Sequence, residues 1–339
     1  MALPIAYLRK LETALDPKSK QGQVFQLTAP ANEAGCVDFG SNNTLSLGGS
    51  KAIRDEFFRE LARNPNFEIG TGSSRVLGGT TRYASELERD LALYNNADDG
   101  LIFPSGYEGN IAIHATLPQK GDVFIHDTKI HASTREGMRA SKAETIKSFA
   151  HNDPHSLFDV IEEVKLSERG ISDGHNTVFV TLESIYSMDG DFAPLMELTA
   201  EAKRALSKGN LILILDEAHS HGMIGPNGAG LACHLGLENE FAVRLHTYGK
   251  AAGASGGKVL YDAYYTLKYM LIICAIAIVL CNSLVKRYLI SHARNLLFTT
   301  VPSFVFFATI RAANTVMSGE EGNLVSSCTC NLKKGCSFH

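Results

Sequence analysis

Asn210–Gly230 reads NLILILDEAHSHGMIGPNGAG, and the fold turns on it. Leu211 to Leu215 form an unbroken apolar run that ends at Asp216. So short a run fits a strand covered on both faces, as in a parallel sheet. The polar segment after it then falls at the carboxyl edge of the sheet, where open α/β folds keep their ligands. Asp216, His219 and His221 lie within six residues of one another, and Gly222, Gly225, Pro226, Gly228 and Gly230 turn the following chain into a loop.

Three readings of this stretch compete. A strand end with solvated charges is the plainest, because short motifs match often by accident. A helicase-type nucleotidase, with magnesium on DEAH, requires a phosphate loop of the form G-x-x-x-x-G-K-[ST]. Around Gly256-Gly257-Lys258 the first glycine is replaced by Ala252 and the hydroxyl residue by Val259, so that reading fails. In the third, Asp216 partners the ring nitrogen of a cofactor, and a Schiff-base lysine should follow downstream. Phe241–Gly257, FAVRLHTYGKAAGASGG, supplies one: a strand ending at Thr247, then Lys250 among small residues. Partial desolvation beside sheet backbone lowers the pKa of such an amine and makes it a nucleophile.

Composition narrows the class. The 339 residues suffice for two domains or one large α/β domain with an appendage, and 45% apolar with 20% charged residues is ordinary for a globular protein. A net charge of −4 argues against nucleic acid as a partner. Seven cysteines spread over the chain favour a reducing compartment, and Cys328-x-Cys330 with Cys336 lacks the spacing and histidines of a metal site. The first sixteen residues read as an amphipathic helix without the apolar core of a secretory leader. The longest apolar run, Tyr269–Cys281, has thirteen residues, fewer than the roughly 20 that span a bilayer. The expectation is a cytoplasmic protein with no membrane partner.

Elsewhere Lys51–Arg63 is helical by period, and Ser85-x-x-Glu88 predicts a capping box opening a helix. GTGSSRVLGGTTRY, Gly70–Tyr83, is a loop rich in glycine and hydroxyls. Gly100–Phe103 predicts a strand that turns through PSGYEGN into a helix, so Gly106 and Tyr107 fall at a helix N-terminus suited to a phosphate. Asp122–His126 and a strand ending at Glu183 follow, with His131 before a helix, a helix from Pro154 to Leu166, a loop over Ser184–Asp191 and a helix from Pro194 to Leu206. Strand and helix alternate from 100 to 250, the pattern of a mostly parallel sheet with helices on both faces.

Taken in order, GTGSSR, SGYEGN, KIHAS, FAHND, YSMDGD, DEAHSHGMIGPNGAG and TYGK resemble the α-oxoamine synthases, pyridoxal-phosphate (PLP) enzymes of the type I aminotransferase fold. The resemblance runs from the N-terminus to about residue 257 and again over about 279–317. It implies that Lys250 carries the cofactor and later moves the substrate's α-proton, and that Asp216 keeps the pyridine nitrogen protonated. It implies further that His131 stacks on the ring, and that His219, helped by Ser187, bonds its phenolic oxygen. Gly106, Tyr107 and Thr247 would hold the phosphate, Thr300 would reach the partner subunit's phosphate in a homodimer, and Asn42 and Glu183 would line the substrate side. His221 has no role in the family, and His151 of FAHND reads as structural.

The implied reaction is the decarboxylative condensation of an amino acid with an acyl-CoA. GSSRVLGGT and FAHND are closest to the members that join L-alanine to pimeloyl-CoA in biotin formation. Another amino acid with a longer acyl or polyketide thioester stays open, as does an inactive chain acting only as a partner subunit, and a peroxisomal or mitochondrial address. The chain departs from the family pattern at Asn43, Thr44 and Ser46, over residues 258–277, which read as an aberrant insertion, and beyond Met317. The expected organisation is a substrate-side segment over 1–50, a large PLP-binding domain over 51–300 and a shortened C-terminal domain over 301–339. That remnant would lack the arginine that grips the substrate carboxylate.

Overall fold

The computed structural model describes residues 3–22, 24, 40–254 and 276–319. The segments 36–39, 258–275 and 320–339, with Cys328, Cys330 and Cys336, lie outside the described residues. Two compact units are present, one up to Ser41 and one from Asn42 onward. In the first, Ile5–Lys20 is a helix with no buried side chain. No helix among the described residues is long and apolar enough to cross a membrane.

The second unit is built on a seven-stranded sheet. In chain order the strands are β1 (Asp99–Phe103), β2 (Val123–Asp127), β3 (Thr145–Phe149), β4 (Val178–Glu183), the two-residue β5 (Ile185–Tyr186) and β6 (Asp191–Phe192), β7 (Leu211–Asp216), β8 (Val243–Thr247) and β9 (Ala277–Cys281). The spatial order is β1-β9-β8-β7-β4-β2-β3, and β5 and β6 form a separate hairpin. From β3 to β8 every pairing is parallel, whereas β9 is antiparallel to both neighbours. Strands β2, β4, β7 and β8 therefore end at one edge, in Asp127, Glu183, Asp216 and Thr247.

Alternation along each strand gives the sheet two faces, and the core falls into three clusters. Val123, Ile125, Leu182 and Leu213 face Leu157 and Ile161 of the Pro154–Ser167 helix and Leu198 of the Leu195–Ala205 helix. Phe124, Phe179, Ile214 and Leu245 face the opposite way, onto Ala112 and Ile113 of the Gly106–Thr116 helix. A third cluster joins Ile102, Ile278 and Leu280 to Leu87 and Leu91 of the Arg82–Tyr94 helix and to Phe307 and Ile310 of the Phe304–Met317 helix.

Three local expectations change. The helix read as starting at Ser85 starts at Arg82, and Thr81 caps it by accepting the Ala84 N–H. Glu88 is accordingly no capping-box acid. It is buried at 1% exposure, takes Arg75 of GTGSSR in two bonds of 2.8 and 3.0 Å, and accepts the Ile102 N–H of β1 at 2.9 Å. Strand β3 went unread because TIKSF carries only two apolar residues and sits on the sheet's rim, where Lys147 meets Glu163. The expected loop over Ser184–Asp191 contains the β5–β6 hairpin. Of the stretch 258–277, Ile276 accepts the Tyr248 N–H and Ala277 opens β9.

Removing Arg75 would leave the buried Glu88 only Lys286, at the longer distance of 3.4 Å, as an ion-pair partner, and the loss of one partner of a buried ion pair is costly. Arg75→Met should lower unfolding free energy in urea by about 3 kcal/mol, while Arg82→Met, at an exposed pair with Glu86, should cost less than about 0.5 kcal/mol. Equal losses would mean that Glu88 does not depend on Arg75.

Candidate active site

At the carboxyl edge of the strands lies a cavity of about 170 Å³, lined among others by Gly106, Tyr107, His131, Glu183, Asp216, His219, Thr247 and Lys250. Gly106 and Tyr107 reach it from the first turn of the Gly106–Thr116 helix and the others from a strand end or the turn beyond: Asp216 closes β7, Glu183 closes β4, Thr247 closes β8, and Lys250 and His131 follow within four residues of β8 and β2. The sequence-predicted residues Asn42, Ser187 and Thr300 are not among its lining. Asn42 sits on an exposed turn and Ser187 at the exposed tip of the β5–β6 hairpin. Thr300 is bridged to Ser74 and borders a separate small cavity with Arg75.

The carboxylate of Asp216 is held rigidly. Its Oδ2 accepts Asn110 Nδ2 at 2.7 Å and its Oδ1 accepts the Ala218 N–H at 2.9 Å. Asn110 also donates to Ser133 Oγ at 3.0 Å. That leaves the Ser133 hydroxyl proton for His131 Nδ1, 2.7 Å away, which also accepts the Ser133 N–H. With Nδ1 an acceptor, the neutral ring carries its proton on Nε2. Burial holds His131 below the usual histidine pKa, in the neutral state this chain requires.

Lys250 Nζ donates to His219 Nε2 at 2.7 Å. Burial, and then the nearby Lys250 charge, push His219 down to about 4, so its ring is a neutral acceptor near pH 7. Burial also lowers the Lys250 amine, against the opposing pull of Asp216 and Glu183. Glu183 accepts the His131 backbone N–H at 2.5 Å. Desolvation, followed by the charge of Asp216, raises it to about 8, because two buried carboxylates close together do not both ionise readily. The amine and Asp216 thus share a cavity whose imidazoles are neutral.

One wall suits an anion. Ser105 Oγ caps the Gly106–Thr116 helix by accepting the Glu108 N–H, so the N–H groups of the first turn, at Gly106 and Tyr107, open on the cavity. A Cβ at Gly106 would stand 2.6 Å from Thr247 Cγ2, so only glycine brings this turn so close to the β8 end. Thr247 Oγ1 is itself fixed by donating to Ala218 O at 3.2 Å. Behind Lys250 the turn folds tightly: Gly253 has φ +63°, and a Cβ there would meet Gly48 N at 2.4 Å.

Sequence reasoning did not single out Asn110 and Ser133. The signal was present in SGYEGN, where Asn110 is one helical turn beyond Gly106, and in KIHAS, where Ser133 follows His131 by two. His221 is fully buried outside the cavity lining, stacked on His246 at 4.5 Å and edge-on to Tyr248. Glu217, also fully buried, accepts His246 Nε2 at 2.9 Å and the Ala232 N–H at 3.0 Å, fastening the loop that carries His219.

Known proteins share this arrangement of chain. An aminoacyl transferase, sphA, of Aspergillus fumigatus is 39% identical over 312 residues, covering 92% of this chain and 62% of the relative. An 8-amino-7-oxononanoate synthase of Emericella nidulans is 40% identical over 278 residues, covering 82% of this chain and 63% of its own length. The chain thus spans just over three fifths of these curated relatives. Among solved structures, a serine palmitoyltransferase variant from S. paucimobilis with a bound PLP–myriocin aldimine superposes with a TM-score of 0.73 at 23% identity, over 94% of this chain and 73% of its own. An 8-amino-7-oxononanoate synthase from Francisella tularensis gives 0.62 at 24% identity, over 86% and 72%. These share the fold, a mixed and mostly parallel sheet of the type I PLP-dependent transferase kind. The Aminotransferase class I and II family model matches residues 34–323. With that match over most of its length, on a sheet that carries Lys250 and Asp216 into one cavity, the chain belongs to the aminotransferase class I and II family.

Proposed function

We propose that the chain binds pyridoxal 5'-phosphate and serves an α-oxoamine synthase reaction, the decarboxylative condensation of an amino acid with an acyl-CoA. The observation that carries this reading is the shared cavity of Lys250 and Asp216, with a neutral His131 and a helix N-terminus around it. The fit to the cofactor rests on the donor set. Asp216, held by Asn110 and the Ala218 N–H, would face a protonated ring nitrogen, and the N–H groups of Gly106 and Tyr107 would take a phosphate, with the Thr247 hydroxyl joining them by turning from Ala218 O. When bound, PLP supplies an electron sink for carbanion chemistry beside the carbon it activates.

The chain's own residues do the rest. Lys250, desolvated and bonded to neutral His219, would attach the aldehyde and then move the α-proton. His131, its Nε2–H fixed through Ser133, would lie against one ring face, and His219 would meet the ring's hydroxyl side once Lys250 has moved. Glu183, raised to about 8, presents a protonated carboxyl near neutral pH, able to donate to a substrate oxygen. Ser187 would act from the β5–β6 hairpin and Asn42 on the substrate side, and Thr300 toward a second copy in a homodimer.

For substrates, L-alanine and pimeloyl-CoA, giving 8-amino-7-oxononanoate, CoA and CO2, are supported by the Emericella relative. A second reading, another amino acid with a longer acyl or polyketide thioester, is supported by the similarity to sphA and by the serine palmitoyltransferase fold. Both are compatible with a cytoplasmic setting.

Three outcomes test the proposal. Borohydride treatment of protein incubated with PLP should fix one cofactor on the peptide carrying Lys250, seen by mass spectrometry, and Lys250→Ala should lose that adduct. Since attachment needs the neutral amine, its initial rate should rise with pH and level off below the ordinary lysine value of 10.5; a plateau only above it would mean that the amine is not desolvated. CoA release should be fastest with L-alanine plus pimeloyl-CoA. Faster release with serine or glycine and a long acyl-CoA would favour the second reading, and none with any pair would refute the synthase reading while leaving cofactor binding to the first test.

A further inference from the structure

FAHND, like GTGSSR and YSMDGD, contributes no residue to the cavity lining. Its residues nonetheless bind one of the cavity's walls. Asp153 caps the Pro154–Ser167 helix by accepting the N–H groups of His155 and Ser156. Asn152 takes a left-handed backbone at φ +52°, which asparagine tolerates, and so sends its N–H to Asp127 Oδ2 at 2.8 Å and its Nδ2 to Asp191 Oδ2 at 3.0 Å. His151 lies between two carboxylates, with Nδ1 2.8 Å from Asp127 Oδ1 and Nε2 2.8 Å from Asp191 Oδ2.

Asp127 is fully buried and also accepts the Lys129 N–H, so every contact it makes comes from a donor. Asp191 is 41% exposed and already accepts from Asn152. A ring whose two nitrogens each lie 2.8 Å from a carboxylate oxygen donates to both as the imidazolium; the Asn152 amide, 3.3 Å from Nε2, is the longer contact and already serves Asp191. Asp191 belongs to β6 and pairs with Tyr186 of β5, while Ile185, the first residue of the hairpin, lines the cavity. Asp127 terminates β2, four residues before His131.

We propose that His151, as an imidazolium, is a positioning residue that ties the β5–β6 hairpin to the end of β2 and so sets the cavity wall formed by Ile185. The groups around it come from three elements: Asp127 from β2, Lys129 from the loop beyond, and Tyr186, Asp189 and Asp191 from the hairpin. Tyr186 meets the ring edge-on at 4.6 Å, and Lys129 is occupied by Asp189 at 2.7 Å. Burial opposes the charge, but the bonds to Asp127 and Asp191 outweigh it and hold His151 above the usual histidine pKa. A group with a raised folded pKa contributes its stability fully below the unfolded value and loses it as pH rises through the folded one. Deprotonation removes the Nε2–H and leaves a lone pair against Asp191, which loosens the hairpin, still held through Asn152 and Lys129, while the Nδ1–H keeps Asp127.

The tie concerns the wall whatever occupies the cavity, so its test is separate from that of the cofactor. In the full chain, nitrogen-15 histidine spectra should show one imidazole protonated on both nitrogens at pH 7, missing in His151→Gln. Amide exchange of residues 185–192, corrected for intrinsic rate, should quicken roughly tenfold or more in His151→Gln at pH 7, the equivalent of one charge-assisted bond. Wild type should show the same quickening as pH rises past the His151 pKa. Asp191→Asn, altered at an exposed position, should lower that pKa and free the hairpin even if His151→Gln fails to fold. A neutral His151 at pH 7, or hairpin exchange indifferent to Asp191→Asn and to pH, would overturn the proposal. So would exchange that quickens only when a chelator is added, since His151, Asp189 and Asp191 have ligand atoms within 4.8 Å of one another and a divalent cation would then be the tie.

Discussion

Carboxylates and amines lose hydration when buried, and this cavity keeps Asp216, Glu183 and Lys250 together. What makes that tolerable is the fixing of Asp216 by Asn110 and the Ala218 N–H, two donors aimed at a carboxylate that closes a strand. With that anion secured, its neighbours adjust: Glu183 holds its proton to about 8, and His219 and His131 stay neutral. Asn110 extends the constraint, because the second hydrogen of its amide orders Ser133 and through it the tautomer of His131. Helix, strand end and loop are thereby registered on one carboxylate.

The parallel sheet makes such convergence possible. Four strands running the same way deliver their last residues to one edge, so groups as distant in sequence as His131 and Lys250 become neighbours without a long loop. Close approach is then a matter of side-chain size. Gly106 and Gly253 lie where a Cβ would strike Thr247 or Gly48, and their absence of side chain brings the anion wall and the lysine turn inward.

Much of this was legible in the residues. The apolar run into Asp216 and the strand–hydroxyl–glycine–lysine series at 247–250 announced both a strand and a chemical group at its end, because sheet burial and reactivity there demand the same few residue types. Elements whose residues serve several ends were harder to read. Glu88 looked like a helix cap because acid spacing alone does not distinguish a cap from a buried partner of Arg75, and only the packing of GTGSSR against β1 decides. Strand β3 had too few apolar residues to stand out, and one of its two, Ile146, is itself exposed on the rim. Asn110 and Ser133 were invisible as chemistry, since an amide or hydroxyl gains its role from what stands opposite, and spacing along the chain does not report that. The positions of Ser187 and Thr300 outside the lining reflect the same limit, for resemblance transfers a residue's identity but not its surroundings.

The reversed strand β9 has a consequence for how the molecule is made. It lies between β8 and β1, so those two strands meet only through a segment that follows both in the chain. As the polypeptide leaves the ribosome, β1 waits for a neighbour until residue 281 has emerged, far later than the local pairings of β2 with β3 or β4. Contacts so distant in sequence close slowly. For that interval β1 and β8 each offer an unpaired edge, the form in which nascent chains most readily join one another. The strand that completes the sheet is therefore also the one whose delay would expose it to aggregation.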